Sequence, residues 1–210
     1  MKRVLLILLV AVAGCAGQIE ITKPDTIRVE NSKVVNKPRE MAWDAAILAL
    51  RKNFFVIDSL DRSSGLVNLS YTGGDPEKYL DCGQVSSRVK DADVVRTYRF
   101  PGASASQDYQ FMNSQGALFN VNRTLSLDAA IKLILEDIGR GQTRVTVTTH
   151  YVVRRQGRVQ QVRGPQAFNY ADVISFDTGE RASFPRSVSG QGTECIANGN
   201  LERAVLSVIN

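Results

Sequence analysis

Histidine occurs once in this chain of 210 residues, tryptophan once and cysteine three times. Three cysteines and one histidine leave no ligand to spare for a four-coordinate zinc site, and no HExxH pair is present. There is no Walker loop, no Gly-rich dinucleotide fingerprint and no GxSxG elbow. Nucleotide binding and serine hydrolysis therefore lack their usual sequence carriers. Neither low-complexity tracts nor a repeat period occurs. The longest apolar run, Val4 to Ala13, spans ten residues. As a helix it would rise about 15 Å, half of a hydrocarbon core of ~30 Å. A lasting transmembrane helix is not expected, and neither a cofactor nor a metal is implied.

The front of the chain is nonetheless organised. Lys2 and Arg3 precede the apolar run, and Val12-Ala13-Gly14-Cys15 follows as one aliphatic residue, two small ones and cysteine. This layout resembles the signal peptide of bacterial lipoproteins. The resemblance implies that residues 1–14 are removed and that Cys15 is acylated on its sulfur and usually its amine. Two or more acyl chains anchor a protein stably, whereas one binds marginally. Residue 16 is alanine. An aspartate there would resemble the inner-membrane retention signal of enteric lipoproteins, so the resemblance implies the outer membrane, with the domain in the periplasm. The rivals, a plain signal peptide or a buried N-terminal helix, leave the thiol at the junction and the charged front without a purpose.

Without Lys2 and Arg3, 24 basic residues face 21 acidic ones. A net +3 over such a length is no nucleic-acid footprint, so no nucleic-acid partner is expected. With Cys15 acylated, Cys82 and Cys195 remain. In an oxidising compartment an even pair reads most simply as one disulfide. The alternatives are two free thiols or half of a metal site.

Periodicity supplies the architecture. Residues 15–25 read as a tether and 27–35 as a strand. PREMAWDAAILALRKN predicts a helix, with Trp43, Ala46, Ile47, Leu50 and Phe54 at three- and four-residue steps and Trp43 in the core. FVIDSLD and GLVNLSYT predict a hairpin across Arg62–Gly65, and residues 93–100 a further strand. Residues 101–116 read as an exposed crossing and a candidate subdomain boundary within a single domain over 26–210. LSLDAAIKLILEDI fits a helix and also fits a strand, but TRVTVTTHYVVRR beyond the Gly turn favours a hairpin of 123–137 with 143–155. A second hairpin is expected in VISFDTGERASF. A closing helix is expected in LERAVLSVI, with Asn200 as its N-cap. Together these predict an α+β fold: a mainly antiparallel sheet with an N-terminal amphipathic helix and a short C-terminal one. The helix-then-hairpin order around 41–71 is similar to small α+β lipoproteins of the outer membrane's periplasmic face, such as accessory lipoprotein C of the β-barrel assembly machinery. No functional residue carries over from that likeness.

Candidates for chemistry are few. His150 lies mid-strand and reads as solvated, sharing a face with Arg144, Thr146, Thr148 and Val152. Ser87 and Lys90 form an SxxK string without its companion motifs, and Asp75, Glu77 and Asp81 form a loop cluster without EF-hand spacing. The run Arg154, Arg155, Arg158 and Arg163 reads as a hairpin end that could contact anionic headgroups or an acidic partner. A non-enzymatic envelope lipoprotein that binds a partner or aids assembly fits these features first. A periplasmic lipid or small-ligand carrier is the alternative, and a hydrolase is disfavoured because no catalytic residues stand out.

Overall fold

The computed structural model of the chain describes residues 18–53, 55–186 and 192–209. The first half holds strands β1 (Gln18–Ile21) and β2 (Ser32–Val35), helix α1 (Arg39–Leu50), then β3 (Val56–Asp61), β4 (Leu66–Gly73), β5 (Leu80–Asp81), β6 (Gln84–Asp91) and β7 (Val94–Pro101). There follow β8 (Ser106–Met112), β9 (Leu118–Gly139), β10 (Gln142–Gln161), β11 (Ala167–Asp177), β12 (Arg181–Ser183), β13 (Glu194–Ala197) and helix α2 (Asn200–Ser207).

Alternation builds the spine. From Phe119 to Leu135 every odd residue of β9 is buried, and in β10 the odd positions from Thr143 to Arg155 are buried too. Side chains that alternate over so many residues need one covered face and one open face. The two strands pair antiparallel from Asp137↔Thr143 to Phe119↔Gln161. Gly139, Arg140 and Gly141 make the turn, all with positive φ (+81°, +56° and +70°), a conformation that glycine adopts without a Cβ clash.

Shorter strands flank this ladder. Beside β10 lie β2 near the turn and β11 farther along; beside β9 lie β4, backed by β3, and then β8. Two small sheets, β1-β6-β7 and β12-β13-β5, complete the molecule. The main core lies between the spine and the two helices, where Trp43, Leu50, Leu69, Leu133, Tyr151 and Leu201 are buried. Trp43 is thus a core residue. A smaller cluster of Phe111, Phe119, Val121 and Val159 sits at the far end of the same ladder.

The α+β class is corrected: the described residues form mostly antiparallel β-sheet, 57% strand against 12% helix, with two short α-helices. Stretches read as loop or tether form strands because they find pairing partners. Gln18–Ile21 pairs with β6, and Ser106–Met112, read as an exposed crossing, pairs with β9 and buries Phe111. β6 itself was not anticipated, because one of its inward residues is Ser87, which breaks the apolar alternation. The strand expected over 27–35 is confined to Ser32–Val35. The residues after the Asp177–Glu180 turn do not fold back onto β11; β12 pairs with β13 instead. α1 forms over Arg39–Leu50, but it exposes Met41 and Leu48, so it is not a cleanly amphipathic helix. Asn200 is not the N-cap of α2. Gly199, at φ +76°, holds that position, and Asn200 is the first helical residue, its N–H donating to Asn198 Oδ1.

A buried polar junction fastens α2 to the sheet. Glu202 is fully buried, and its Oε1 accepts from Tyr151 Oη at 2.7 Å and from Thr178 Oγ1 at 2.7 Å. Burial first, and then the Glu202 carboxylate, pushes the Tyr151 phenol far above its usual value, which keeps it a donor. Tyr151→Phe removes that donor from a buried acceptor. It is expected to lower stability by about 1–3 kcal/mol in a urea titration with the m-value unchanged. A midpoint identical to wild type would show that the junction is not a fastener.

Candidate functional site

The face of the main sheet opposite the helices is open. At its centre the strands bring together a groove of ≈ 510 Å³. Asp58 of β3, Asn68 of β4, Ala130 and Lys132 of β9, Thr148 and His150 of β10 and Asp177 of β11 line it, with Leu69 and Ile131 in its floor. The register accounts for the convergence. Asp177, His150, Ala130 and Ser70 form one cross-strand row, and Thr148, Lys132 and Asn68 form the next.

Polar contacts fix several of these groups. His150 Nδ1 lies 2.6 Å from Asp177 Oδ1. An ionised carboxylate only accepts, so this contact places a proton on Nδ1. Among the described residues Nε2 has no hydrogen-bond partner. Asp177 is held in turn from behind: Thr178 accepts from the Thr149 N–H and donates to buried Glu202. On the opposite wall Ser70 Oγ donates to Asp58 Oδ1 at 3.0 Å, and Asn68 Nδ2 donates to Ser59 Oγ at 2.8 Å. The result is a preset groove carrying two carboxylates, one lysine, an imidazole and amide and hydroxyl groups. Such a surface can recognise a polar partner of mixed charge. His150 is solvent-exposed, and the hydroxyls nearest the groove are those of Thr148 and of Ser70, the latter donating to Asp58.

The four arginines of the basic run do not form one surface. Consecutive strand residues point to opposite faces, and β10 continues to Gln161, so Arg154, Arg155 and Arg158 lie within the ladder and Arg163 alone sits in the turn toward β11. Arg154 is on the open face, paired with Asp128 across the strand junction. Arg155 is buried on the covered face. Its Nη2 donates to Asp172 Oδ2 at 2.6 Å and to the Pro185 carbonyl at 3.1 Å, and its guanidinium lies 4.4 Å from the Phe184 ring centre. Arg163 pairs with Asp91 at 3.1 Å. Arg158 is exposed and, among the described residues, has no ion pair.

A second buried guanidinium escaped notice in the sequence. Arg123 donates to the Gly102 carbonyl at 2.8 Å and the Ser104 carbonyl at 3.2 Å and lies 5.3 Å from the Phe100 ring centre. Burial lowers its pKa. The same packing pushes the Tyr109 phenol up to about 12.

The remaining candidates are placed apart from the groove. Ser87 is buried and donates to the Gln110 carbonyl at 2.6 Å, while Lys90 is exposed on the other face of β6. An SxxK pair needs a helix to bring positions i and i+3 together, and a strand separates them. Glu77 accepts from Ser104, and Asp81 accepts from the Gly83 N–H. No group of three His, Cys, Asp or Glu able to hold a metal ion occurs among the described residues, nor does a helix long and apolar enough to cross a membrane. Cys82 and Cys195, both buried, are joined by a disulfide. Cys15 lies outside the described residues.

Asp58, Lys132 and Asp177 were not singled out from the sequence. The only local sign was Asp177 at the start of the DTG turn; its pairing with a residue 27 positions earlier depends on the β10–β11 register. Compared with protein-family models, curated proteins and solved structures, the chain has no significant match.

Proposed function

We propose that this chain is a cell-envelope lipoprotein, held by acyl chains on Cys15 at the periplasmic face of the outer membrane. Its domain binds a protein partner without catalysis. The observation that carries the binding role is the groove at His150–Asp177. Side chains from five strands converge there on the open face, while the helices cover the opposite one. Two features support the address. The lipobox Val12-Ala13-Gly14-Cys15 opens the chain, and the Cys82–Cys195 bond suits an oxidising compartment. The basic run contributes little, since three of its four arginines are engaged within the molecule.

Two experiments test this reading separately. A photo-crosslinking side chain at Thr148, in intact cells, is expected to yield a discrete protein adduct that the same group at exposed Lys52 does not. Combining it with Lys132→Glu should abolish that adduct, and identical patterns from both positions would refute the groove. Cys15→Ala is expected to move the chain from the membrane fraction to the soluble fraction. Retention in the membrane would refute the anchor.

A further inference from the structure

Strand β11 ends the main sheet, and its outer edge is open. Its hydrogen bonds to β10 can be assigned by position. Gln161 N–H donates to the Gln166 carbonyl and Thr178 N–H to the Thr149 carbonyl, both in the register that runs through the whole β10–β11 ladder. Antiparallel ladders alternate, so the even residues of β11 bond to β10. The N–H and C=O groups of Asn169, Ala171, Val173 and Ser175 then point outward, and among the described residues no partner meets them.

An edge of this length is normally blunted by charge, proline or a bulge. Two other end strands follow that rule. β3 carries Asp58 and Asp61 and a register shift at Ile57/Ser59; β7 carries Arg96 and Arg99 and ends in Pro101. β11 has no basic residue, no proline and an unbroken register. Its two acids are engaged, Asp172 with Arg155 and Asp177 with His150. Val173 is 60% exposed and Phe168 38% exposed along this uncharged edge.

We infer that β11 pairs antiparallel with β11 of a second copy of this chain, forming a two-fold dimer with one continuous sheet across the interface. This goes beyond the partner-binding groove and does not depend on it. Charge and shape select the register. A two-fold axis at Asp172 would set that carboxylate against its own copy, and an axis at Tyr170 would set Phe168 against Asp172. An axis at Ala171 places Phe168 opposite Ile174, Asn169 opposite Val173 and Tyr170 opposite Asp172, with no like charges facing. Its outward-facing residues can then form up to about ten main-chain hydrogen bonds.

Sedimentation velocity on the full chain in density-matched detergent, over a concentration series, tests the dimer. The wild type is expected to pass from one copy to two as concentration rises. Ala171→Lys sets two ammonium groups against each other at the axis and should weaken association by at least about tenfold. At concentrations where both are single copies its melting curve should match the wild type, because Ala171 is exposed in the single copy. Val173→Lys provides a second variant with the same expectation. In a crosslinking arm, Ala171→Cys should be joined to its copy by a short bismaleimide, and Val94→Cys on β7 should not. A wild type that stays a single copy, or lysine variants that associate as the wild type does, would overturn the inference.

Discussion

Arg155→Ala is expected to destabilise the domain by about 3–5 kcal/mol, whereas Arg154→Ala, one residue away, should change stability by no more than about 1 kcal/mol. The contrast follows from strand geometry. The Arg155 side chain is 5% exposed and its partner Asp172 is 20% exposed, while Arg154 and Asp128 are 45% and 36% exposed. Removing Arg155 leaves a largely buried carboxylate and the Pro185 carbonyl without their donor, and it empties the space between the Phe184 and Tyr170 rings. A buried charge without its partner costs more than the intact pair contributes, because desolvation is no longer offset. Urea midpoints of the two variants check this. Arg155→Ala/Asp172→Ala should lose less than the sum of the single changes, since both halves of the pair are then gone. Equal midpoints for Arg154→Ala and Arg155→Ala would show that burial of this pair is not what stabilises the region. The same reasoning bears on the basic run as a binding surface. Charge reversal at Arg155 disrupts the fold, so the exposed Arg154, Arg158 and Arg163 are the positions to reverse as a test of surface binding.

Loss of the Cys82–Cys195 bond is expected to be as large. The bonded residues are 113 apart in the chain, so the bond removes much freedom from the unfolded state, about 4–5 kcal/mol in the chain-entropy model. Strands β5 and β13 beside it pair over only Ile196↔Asp81 and Ala197↔Leu80, a ladder too short to hold by itself. Cys195→Ala should therefore lower stability by about 2–5 kcal/mol, and Cys82→Ala/Cys195→Ala should match the single variant within about 1 kcal/mol. Both sulfurs are buried, so reductant acts on the native protein only through local opening. The matching control is wild type unfolded and refolded under reductant, which should melt with the variants. A reduced protein as stable as the oxidised one would remove the bond from the account of stability.

Much of the chain's architecture was legible because it is periodic. α1 and the β3–β4 hairpin could be read from residue spacing and turn residues alone. Residues 125–138 fitted two periods at once, and the strand reading prevailed only because a β-branched partner run followed the Gly turn; the observed ladder extends beyond it at both ends. β6, β8 and the outer parts of β9 and β10 were read as loop or left out. Inward positions occupied by Ser87, Arg123 and Arg155 remove the hydropathy contrast on which such reading depends. The class was misjudged for the same reason: helices announce themselves in apolar steps, while polar-lined strands do not.

The groove shows the limit in another form. His150 was placed on the solvent face by counting in twos, yet Asp177, Lys132 and Asp58 come from three other strands and meet it only through register. By itself the sequence determined which residues alternate, where the chain turns, that two cysteines remain to pair once Cys15 is set aside, and that the first seventeen residues resemble a lipoprotein signal. These depend on covalent neighbours and on spacing. Tertiary structure alone decided that Arg155 is buried and paired with Asp172 while Arg154 meets Asp128 on the open face, that buried Glu202 props the turn beside Asp177, and that β11 is left as an open edge. Those outcomes depend on how distant strands align, and a shift of one residue in that alignment would exchange the buried face for the open one.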